Sequence, residues 1–382
     1  MHHLSLDQLT SLSTPCYCYD MQLLRLTLKA INQEIRQFPF KVHYAVKANG
    51  NAVILKEIAE HGLGADLVSG GELKAALEAG FKPQAIAFSG VGKTDREIEA
   101  GIESDIFSFN VESVPELEVI NEIALRMGKN AGVVLRVNPD IDAHTHRYIT
   151  TGTAHDKFGI SLEMLPQVVR MAREMRGINM RGLHFHIGSQ ITTMRPFEML
   201  CDKINQLQDD FEQQGILFEI INVGGGLGID YDNPDENPVP DFGSYFNVFK
   251  QGLKLRAGQE VHFELGRSIA AQCGSLIARV VFVKENRDKK FVILDAGMND
   301  LLRPALYQAN HRVMNLTSSA AAVDTYDVVG PVCESSDVFA RDLQLPITSR
   351  GDIVAIRSAG AYGESMASTY NMRPLPSSHF FD

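Results

Sequence analysis

Cysteine is scarce in this chain of 382 residues: there are five, and only Cys16 and Cys18 stand near each other. Such a sparse set excludes a disulfide framework, and without a second close pair it excludes a paired-thiolate zinc site. Long apolar runs are missing too. Met1–Asp20 has no apolar core of a signal peptide, and no stretch approaches the length of a membrane span. The expected compartment is a reducing cytoplasm, with no membrane partner. Positive charge is also in short supply, with 36 Lys+Arg against 47 Asp+Glu and a formal net charge of -11. That balance argues against nucleic acid or anionic membrane as a partner, although it leaves room for a local basic pocket. There is no fixed-period repeat and no low-complexity tract. With 45% hydrophobic and 22% charged residues, the chain has the composition of a folded globular protein.

What the sequence does contain is a regular alternation of element types. Short β-branched runs occur at 42–47, 65–69, 85–89, 105–110, 132–138, 181–186, 219–223 and 261–264. Stretches with helical spacing lie between them, at 52–60, 71–79, 94–101, 113–126, 162–175, 196–213 and 245–254. Ser113 with Glu116 three residues later predicts a capping box, and Gly62, Gly80, Gly128 and Gly215 fall where helices should stop. Eight strand candidates with helices between them predict a (β/α)8 barrel over residues 24–266, with an open doubly wound sheet as the rival. After Ser268 the rhythm changes to strands at 275–283, 291–294, 328–332 and 353–357, with one short helix around 302–309. Residues 267–382, together with 1–23, are therefore expected to form a second, mostly β domain.

Active sites of such barrels gather at the carboxyl ends of the strands. Here those ends carry Lys47, Asp66, Ser69, Ser89, Asn110, Asn138, His186, Gly224–Gly226 and Glu264. Strand alternation from Val42 puts His43, Ala45 and Lys47 on one face. A lysine inside a barrel needs a partner or loses its charge, which is the condition a Schiff-base amine requires; a lysine at the rim is simply solvated. His184 and His186 share a strand face. They could ligate a metal in a barrel hydrolase, serve as hydrogen-bonded core groups, or stack on a planar cofactor. The spacing Asp140-Ile-Asp-Ala-His-Thr-His146 is metal-like, but a polar loop after a strand is the favoured reading. The run Asn222-Val-Gly-Gly-Gly-Leu-Gly228 lacks the last glycine of a dinucleotide fingerprint, yet it can present N–H groups to an anion or form a tight turn. Glu264 needs a cationic or hydrogen-bonding partner if buried, which a protonated pyridine nitrogen or Arg267 can supply. In the second domain, Cys333 stands beside Glu334, Arg303 precedes Tyr307, and Tyr362 sits among glycines.

Taken together, several segments resemble the fold-type III pyridoxal-phosphate-dependent decarboxylases, and among them the branch acting on diaminopimelate. The segments are His43-Tyr-Ala-Val-Lys-Ala-Asn49, Gly64-Ala-Asp-Leu-Val-Ser-Gly-Gly-Glu72, His184-Phe-His-Ile-Gly-Ser-Gln190, Val223-Gly-Gly-Gly226, Glu264-Leu-Gly-Arg267, Asp295-Ala-Gly-Met298, Gly330-Pro-Val-Cys-Glu-Ser-Ser-Asp337 and Gly360-Ala-Tyr-Gly-Glu364. They occur in the family's order along nearly the whole chain. The resemblance implies a cytoplasmic enzyme that uses pyridoxal 5'-phosphate to convert meso-diaminopimelate to L-lysine and CO2, with no metal. It implies Lys47 as the residue bonded to the cofactor aldehyde, His186 on the pyridine ring, Glu264 at the pyridine nitrogen and Asp66 close to the lysine. Ser189, Gly225, Gly226, the backbone at Gly266 and Arg267, and Tyr362 would hold the phosphate. Arg267, Arg303 and Tyr307 would hold the substrate's distal carboxylate and Glu334 its distal ammonium, with Tyr362 also contacting the substrate. Cys333 would reprotonate the α-carbon in the other subunit's site of a homodimer. A carboxynorspermidine or other basic amino-acid decarboxylase is the alternative within the fold. Leucine at 265 departs from the family's usual proline but keeps the carboxylate.

Overall fold

The structure is a computed structural model that describes residues 6–141 and 157–382. Residues 142–156, which include most of the His144–Lys157 loop and of the metal-like spacing at 140–146, lie outside the described residues. The chain divides into two compact units. One comprises Leu28–Gly228 and Asp241–Gly266; the other comprises the chain up to Thr27, Ile229–Pro240 and Arg267–Asp382. The division departs from a single block of 24–266: the polar, proline-containing segment Ile229–Pro240 groups with the β unit although it lies within the barrel's sequence span.

Strand β1 covers Cys16–Asp20. The barrel strands follow as β2 (Phe40–Ala45), β3 (Gly64–Leu67), β4 (Ile86–Phe88), β5 (Ser108–Val111), β6 (Ala131–Val137), β7 (Ile178–Phe185), β8 (Ile220–Asn222) and β9 (Glu260–Leu265). All pair in parallel and in sequence order. Pairing of β2 with β9, in register from Phe40↔Val261 to Tyr44↔Leu265, closes the sheet into a barrel and removes the open-sheet alternative. The intervening helices begin and end where local chemistry dictates. Thr94 and Glu97 form a reciprocal capping box, which satisfies two donors at the start of helix Asp95–Glu103. At Ser113 only half of the predicted box forms, because Glu116 turns its carboxylate to the N–H of Glu112 instead. The four helix-stopping glycines all take positive φ.

One side of the barrel is sealed by aromatic packing. Phe263 on β9 is fully buried, with ring centroids 4.9 Å from Phe246, 5.1 Å from Phe40, 5.2 Å from Phe249 and 5.9 Å from Tyr245. Three of these partners sit on helix Phe242–Gly252, whose amino end is capped by Asp241 accepting from the Ser244 N–H.

The β unit holds β10 (Gly274–Asn286), β11 (Lys289–Leu294), β12 (Val313–Asn315), β13 (Val323–Val329), β14 (Val338–Pro346), β15 (Ile353–Ile356) and β16 (Ser377–Phe381). Their order is β12-β15-β10-β11-β13-β14, and β1 joins the sheet antiparallel to β10 and parallel to β16. The strands β1, β12, β14 and β16 and the helix Met21–Ile35 are absent from the sequence-based expectation. Cys16 and Cys18 are both buried in a small core with Leu9, Ile277, Ile353 and Ala355, so the closest cysteine pair of the sequence serves packing. We expect Phe263→Ala to destabilise the barrel by about 3–5 kcal/mol, the usual cost of deleting a buried phenyl ring; denaturant titration followed by circular dichroism measures it.

Candidate active site

Polar strand ends in the barrel unit converge on Glu264. Its Oε1 accepts from the side-chain amides of Asn110 on β5 and Asn222 on β8, both at 2.6 Å, and its Oε2 lies 3.1 Å from His184 Nε2 on β7. From Asn110 a hydrogen-bonded chain continues outward. The Asn110 amide also donates to Ser89 Oγ at 2.8 Å, and the Ser89 hydroxyl donates to Asp66 at 2.5 Å. Asp66 Oδ2 in turn stands 3.9 Å from Lys47 Nζ. The closed barrel thus places five chain-distant residues in one line, because they stand at or just beyond the carboxyl ends of its strands. Lys47 itself is not in a strand: β2 stops at Ala45, and Val46–Ala48 form a 3₁₀ turn. Its side chain is 43% exposed while Asp66 is buried, so the lysine reaches outward past its carboxylate partner.

The two carboxylates cannot both ionise cheaply in this setting. Burial, and then the nearby Glu264 charge, push Asp66 up to about 8 despite Lys47 and the Ser89 hydrogen bond. Burial would raise Glu264 as well, but His184, the Asn222 amide and Lys47 outweigh it and hold the carboxyl well below its ordinary range. Glu264 is therefore the anion and Asp66 the carboxylic acid at neutral pH.

His186 follows β7 directly, one residue past the strand, and is half-buried. Its Nδ1 accepts from the Gly225 N–H at 3.2 Å. Burial, followed by the charges of Arg136 and Lys47, holds it well below the ordinary histidine range, so the ring is neutral. Arg136 is fixed by a buried ion pair with Glu112 at 2.7 Å. The glycine run makes this approach possible: a Cβ on Gly225 would lie 2.0 Å from the Glu264 carbonyl oxygen, and one on Gly224 would lie 2.8 Å from His186 Nδ1. Ser189 is half-buried in the loop after β7, and Gly266 is buried against Ala45 and Ala48. Ser69 caps helix Gly70–Ala79, a structural use of a strand-end polar residue.

In the β unit, Arg267 and Arg303 are 6% and 4% exposed and share Tyr231, whose ring lies 6.0 and 4.7 Å from their guanidinium carbons. Arg267 donates to the Tyr231 hydroxyl at 2.7 Å and lies 5.0 Å from the Tyr362 ring. Arg303 donates to His311 Nε2 at 2.7 Å. Tyr307 is half-buried and acts electrostatically on both arginines. Cys333 and Glu334 are exposed on a separate loop, where Glu334 accepts from the Tyr370 hydroxyl at 2.6 Å. That loop is pinned from below by buried Asp337, which accepts from the N–H groups of Val332 and Met298, each at 2.7 Å. Asn222, Arg136, Tyr231 and His311 escaped the sequence-based reading. Of these only Asn222 carried a signal, as the polar residue opening the glycine run.

Residues 23–271 match the model of the pyridoxal-dependent decarboxylase family, specifically its pyridoxal-binding domain. The chain belongs to this family. It is 57% identical to a diaminopimelate decarboxylase of Bacteroides thetaiotaomicron over 99% of this chain and 98% of the relative. Against the diaminopimelate decarboxylase of Vibrio cholerae the identity is 42%, covering 96% of this chain and 87% of the relative. Among solved structures, the diaminopimelate decarboxylase of Helicobacter pylori complexed with L-lysine superposes with a TM-score of 0.93 at 39% identity, covering 98% of this chain and 93% of that one.

The barrel residues fit a pyridoxal group on their own chemistry. Glu264 is a buried anion able to face a protonated ring nitrogen. Asn110 Oδ1 and His184 Nδ1 are buried without a hydrogen-bond partner. Gly224 and Gly225 let the backbone run against the Phe185 and Glu264 carbonyls, where a Cβ would clash, and so bring the Gly225 N–H beside His186. The raised Asp66 carboxyl makes a pH prediction for the cofactor-free protein. Its folded pKa of about 8 lies above the ordinary 3.8, so the native state holds the extra proton and loses that stabilisation as pH rises through about 8. Asp66→Asn keeps the shape and removes the titration. The variant should lose less stability than the parent between pH 6 and pH 9, read as denaturation midpoints.

Proposed function

We propose that this chain decarboxylates meso-diaminopimelate to L-lysine and CO2 with pyridoxal 5'-phosphate. One observation in particular selects the substrate within the family. Arg303 is buried, its Nε has no partner, and among the described residues no carboxylate reaches it. A buried cation without an acid calls for an anionic ligand. Diaminopimelate brings a carboxylate at the end remote from the reaction, whereas an ornithine-type substrate brings none. The names of the full-length relatives support the same substrate.

Pyridoxal phosphate, when bound, supplies an electron sink for the pair left on the α-carbon as CO2 departs. Lys47 would hold it covalently, and Glu264 would hold a proton at its ring nitrogen. His186 would bind its ring as a neutral imidazole, and the N–H groups of Gly225, Gly226, Gly266 and Arg267 would hold its phosphate with Ser189 and Tyr362. Asp66, protonated in the ligand-free protein, would serve as a neighbour that adjusts the charge around Lys47. Arg267, Arg303 and Tyr307 would bind the distal carboxylate and Glu334 the distal ammonium, with Tyr362 also contacting the substrate. The C–CO2 bond breaks, the electron pair stays on the substrate, and a proton takes the place of CO2. Exposed Cys333, presented on the loop that Asp337 pins, would deliver that proton to a site in a second copy of the chain. Membership of a homodimer is thus part of the proposal. Five unbridged thiols, one of them exposed, support a reducing compartment such as the cytoplasm as part of the proposal. Among the described residues no helix is long and apolar enough to cross a membrane.

Incubation with meso-diaminopimelate and the cofactor should yield lysine and CO2 in equal amounts; absence of both products overturns the assignment. Lys47→Ala should abolish turnover and the borohydride-stable attachment of cofactor seen by mass spectrometry. For Cys333→Ala, cofactor should still bind while turnover slows about 10²–10⁴-fold, the range of a lost general acid. Mixing the two inactive variants tests the shared site: half of randomised dimers carry one intact site, so about a quarter of parental activity should return.

A further inference from the structure

Ser89 is the residue after β4, is buried, and stands between the two buried acids of the barrel. The direction of each hydrogen bond through it follows from Glu264. The ionised Glu264 carboxylate can only accept, so the Asn110 atom 2.6 Å from its Oε1 is the amide nitrogen. That nitrogen gives its second hydrogen to Ser89 Oγ at 2.8 Å. Ser89 Oγ is then already an acceptor, and its one hydrogen goes to Asp66 Oδ1 at 2.5 Å. A proton on Asp66 Oδ1 would meet that hydrogen head-on. Its place is therefore Oδ2, the oxygen 3.9 Å from Lys47 Nζ. Two side chains in a row thus carry the anionic state of Glu264 over to the choice of oxygen on Asp66. Besides Glu264 and Lys47, the charged group acting on Asp66 is Glu72 in helix Gly70–Ala79, whose Oε2 accepts from the Val68 N–H at 2.7 Å. Burial and then the Glu264 charge push Asp66 up to about 8, so its proton is present at neutral pH.

We propose that Ser89 is a positioning residue, which keeps the Asp66 proton on Oδ2 and so makes Asp66 the proton donor when Lys47 bonds to the cofactor aldehyde. The inference deepens the cofactor reading above and rests on it. In that step Lys47 Nζ, as the neutral amine, gives its electron pair to the aldehyde carbon. Nζ and Asp66 Oδ2 each give one hydrogen to the aldehyde oxygen, which leaves as water. Nζ keeps one hydrogen and takes a positive charge in its new double bond to carbon, and Asp66 becomes the anion beside it. An acid held the other way round, with its proton on Oδ1, would turn a lone pair towards Lys47 and have nothing to donate there.

The test uses the full chain stripped of cofactor, with Ser89→Ala, Ser89→Thr, Asp66→Asn and the double variant Ser89→Ala/Asp66→Asn. Pyridoxal phosphate is added at neutral pH, and the rate of its attachment at Lys47 is read by mass spectrometry after borohydride trapping. Calorimetry with pyridoxamine phosphate, which has an amine in place of the aldehyde, gives Kd for binding without attachment. Asp66→Asn should slow attachment about 10²-fold, as for a lost general acid. Ser89→Ala should slow it about tenfold, as for loss of one hydrogen bond to the acid, with the pyridoxamine phosphate Kd changed less than about twofold. Ser89→Thr keeps the hydroxyl and should recover most of the rate. On the Asp66→Asn background, Ser89→Ala should cost less than about a further twofold, because the proton it positions is gone. Equal slowing by Ser89→Ala on both backgrounds overturns the inference, as does an unchanged attachment rate. A parallel loss of pyridoxamine phosphate affinity would mean a merely structural role and overturns it too. Should Ser89→Ala not fold, Ser89→Cys, which keeps the volume and donates weakly, takes its place on both backgrounds. A parent that attaches no cofactor at Lys47 defeats the cofactor assignment instead; a parent that attaches it, with indifferent variants, defeats only this inference.

Discussion

The carboxylate of Glu264, buried at the end of the last barrel strand, is the constraint around which the barrel's polar interior is arranged. An unpaired charge there would cost several kcal/mol, so partners must come from other strands of the barrel. Asn110, Asn222 and His184 meet that need from three different strands, and each is useful only because the barrel closes. The same charge decides the state of Asp66. Two buried acids joined through Ser89 and Asn110 cannot both be anions, and the one with more donors ionises. Lys47 therefore emerges beside a carboxylic acid and not beside a second full charge.

The β unit solves the opposite problem. Its Arg303 is a cation taken out of water and held by a neutral imidazole, a costly arrangement that makes sense when an anion is to be received. The overall charge of -11 gives no hint of this. Acidic residues dominate the composition, while the buried positions that matter carry guanidinium groups facing tyrosines. Asp337 shows how a buried acid can be used structurally, with two backbone N–H groups fixing the turn that exposes Cys333.

Much of this was legible in the order of residues. Strand and helix positions in the barrel follow from hydrophobic period and from caps such as Ser113 and Gly80, which act within a few residues. Lys47, Asp66, His186 and Glu264 stand out because barrel geometry makes strand ends special. Other features were not legible, for identifiable reasons. The strand β16 pairs with β1 from the far end of the chain, and nothing local in Ser377–Phe381 announces that partner. The Glu116 carboxylate had two backbone N–H groups within reach and took the one at Glu112. Tyr231 and His311 look like ordinary loop residues until both meet Arg303.

By itself, then, the sequence determined the alternation that builds the barrel, the change of rhythm after it, and the identity of the groups able to do chemistry. Those are properties of local pattern and residue type. Tertiary structure decided protonation and pairing: that Glu264 is charged and Asp66 is not, that Lys47 lies just beyond its strand in a 3₁₀ turn, and that Arg303 keeps its charge beside a neutral His311. Such choices depend on burial and on partners scores of residues away, and both exist only once the chain has closed on itself.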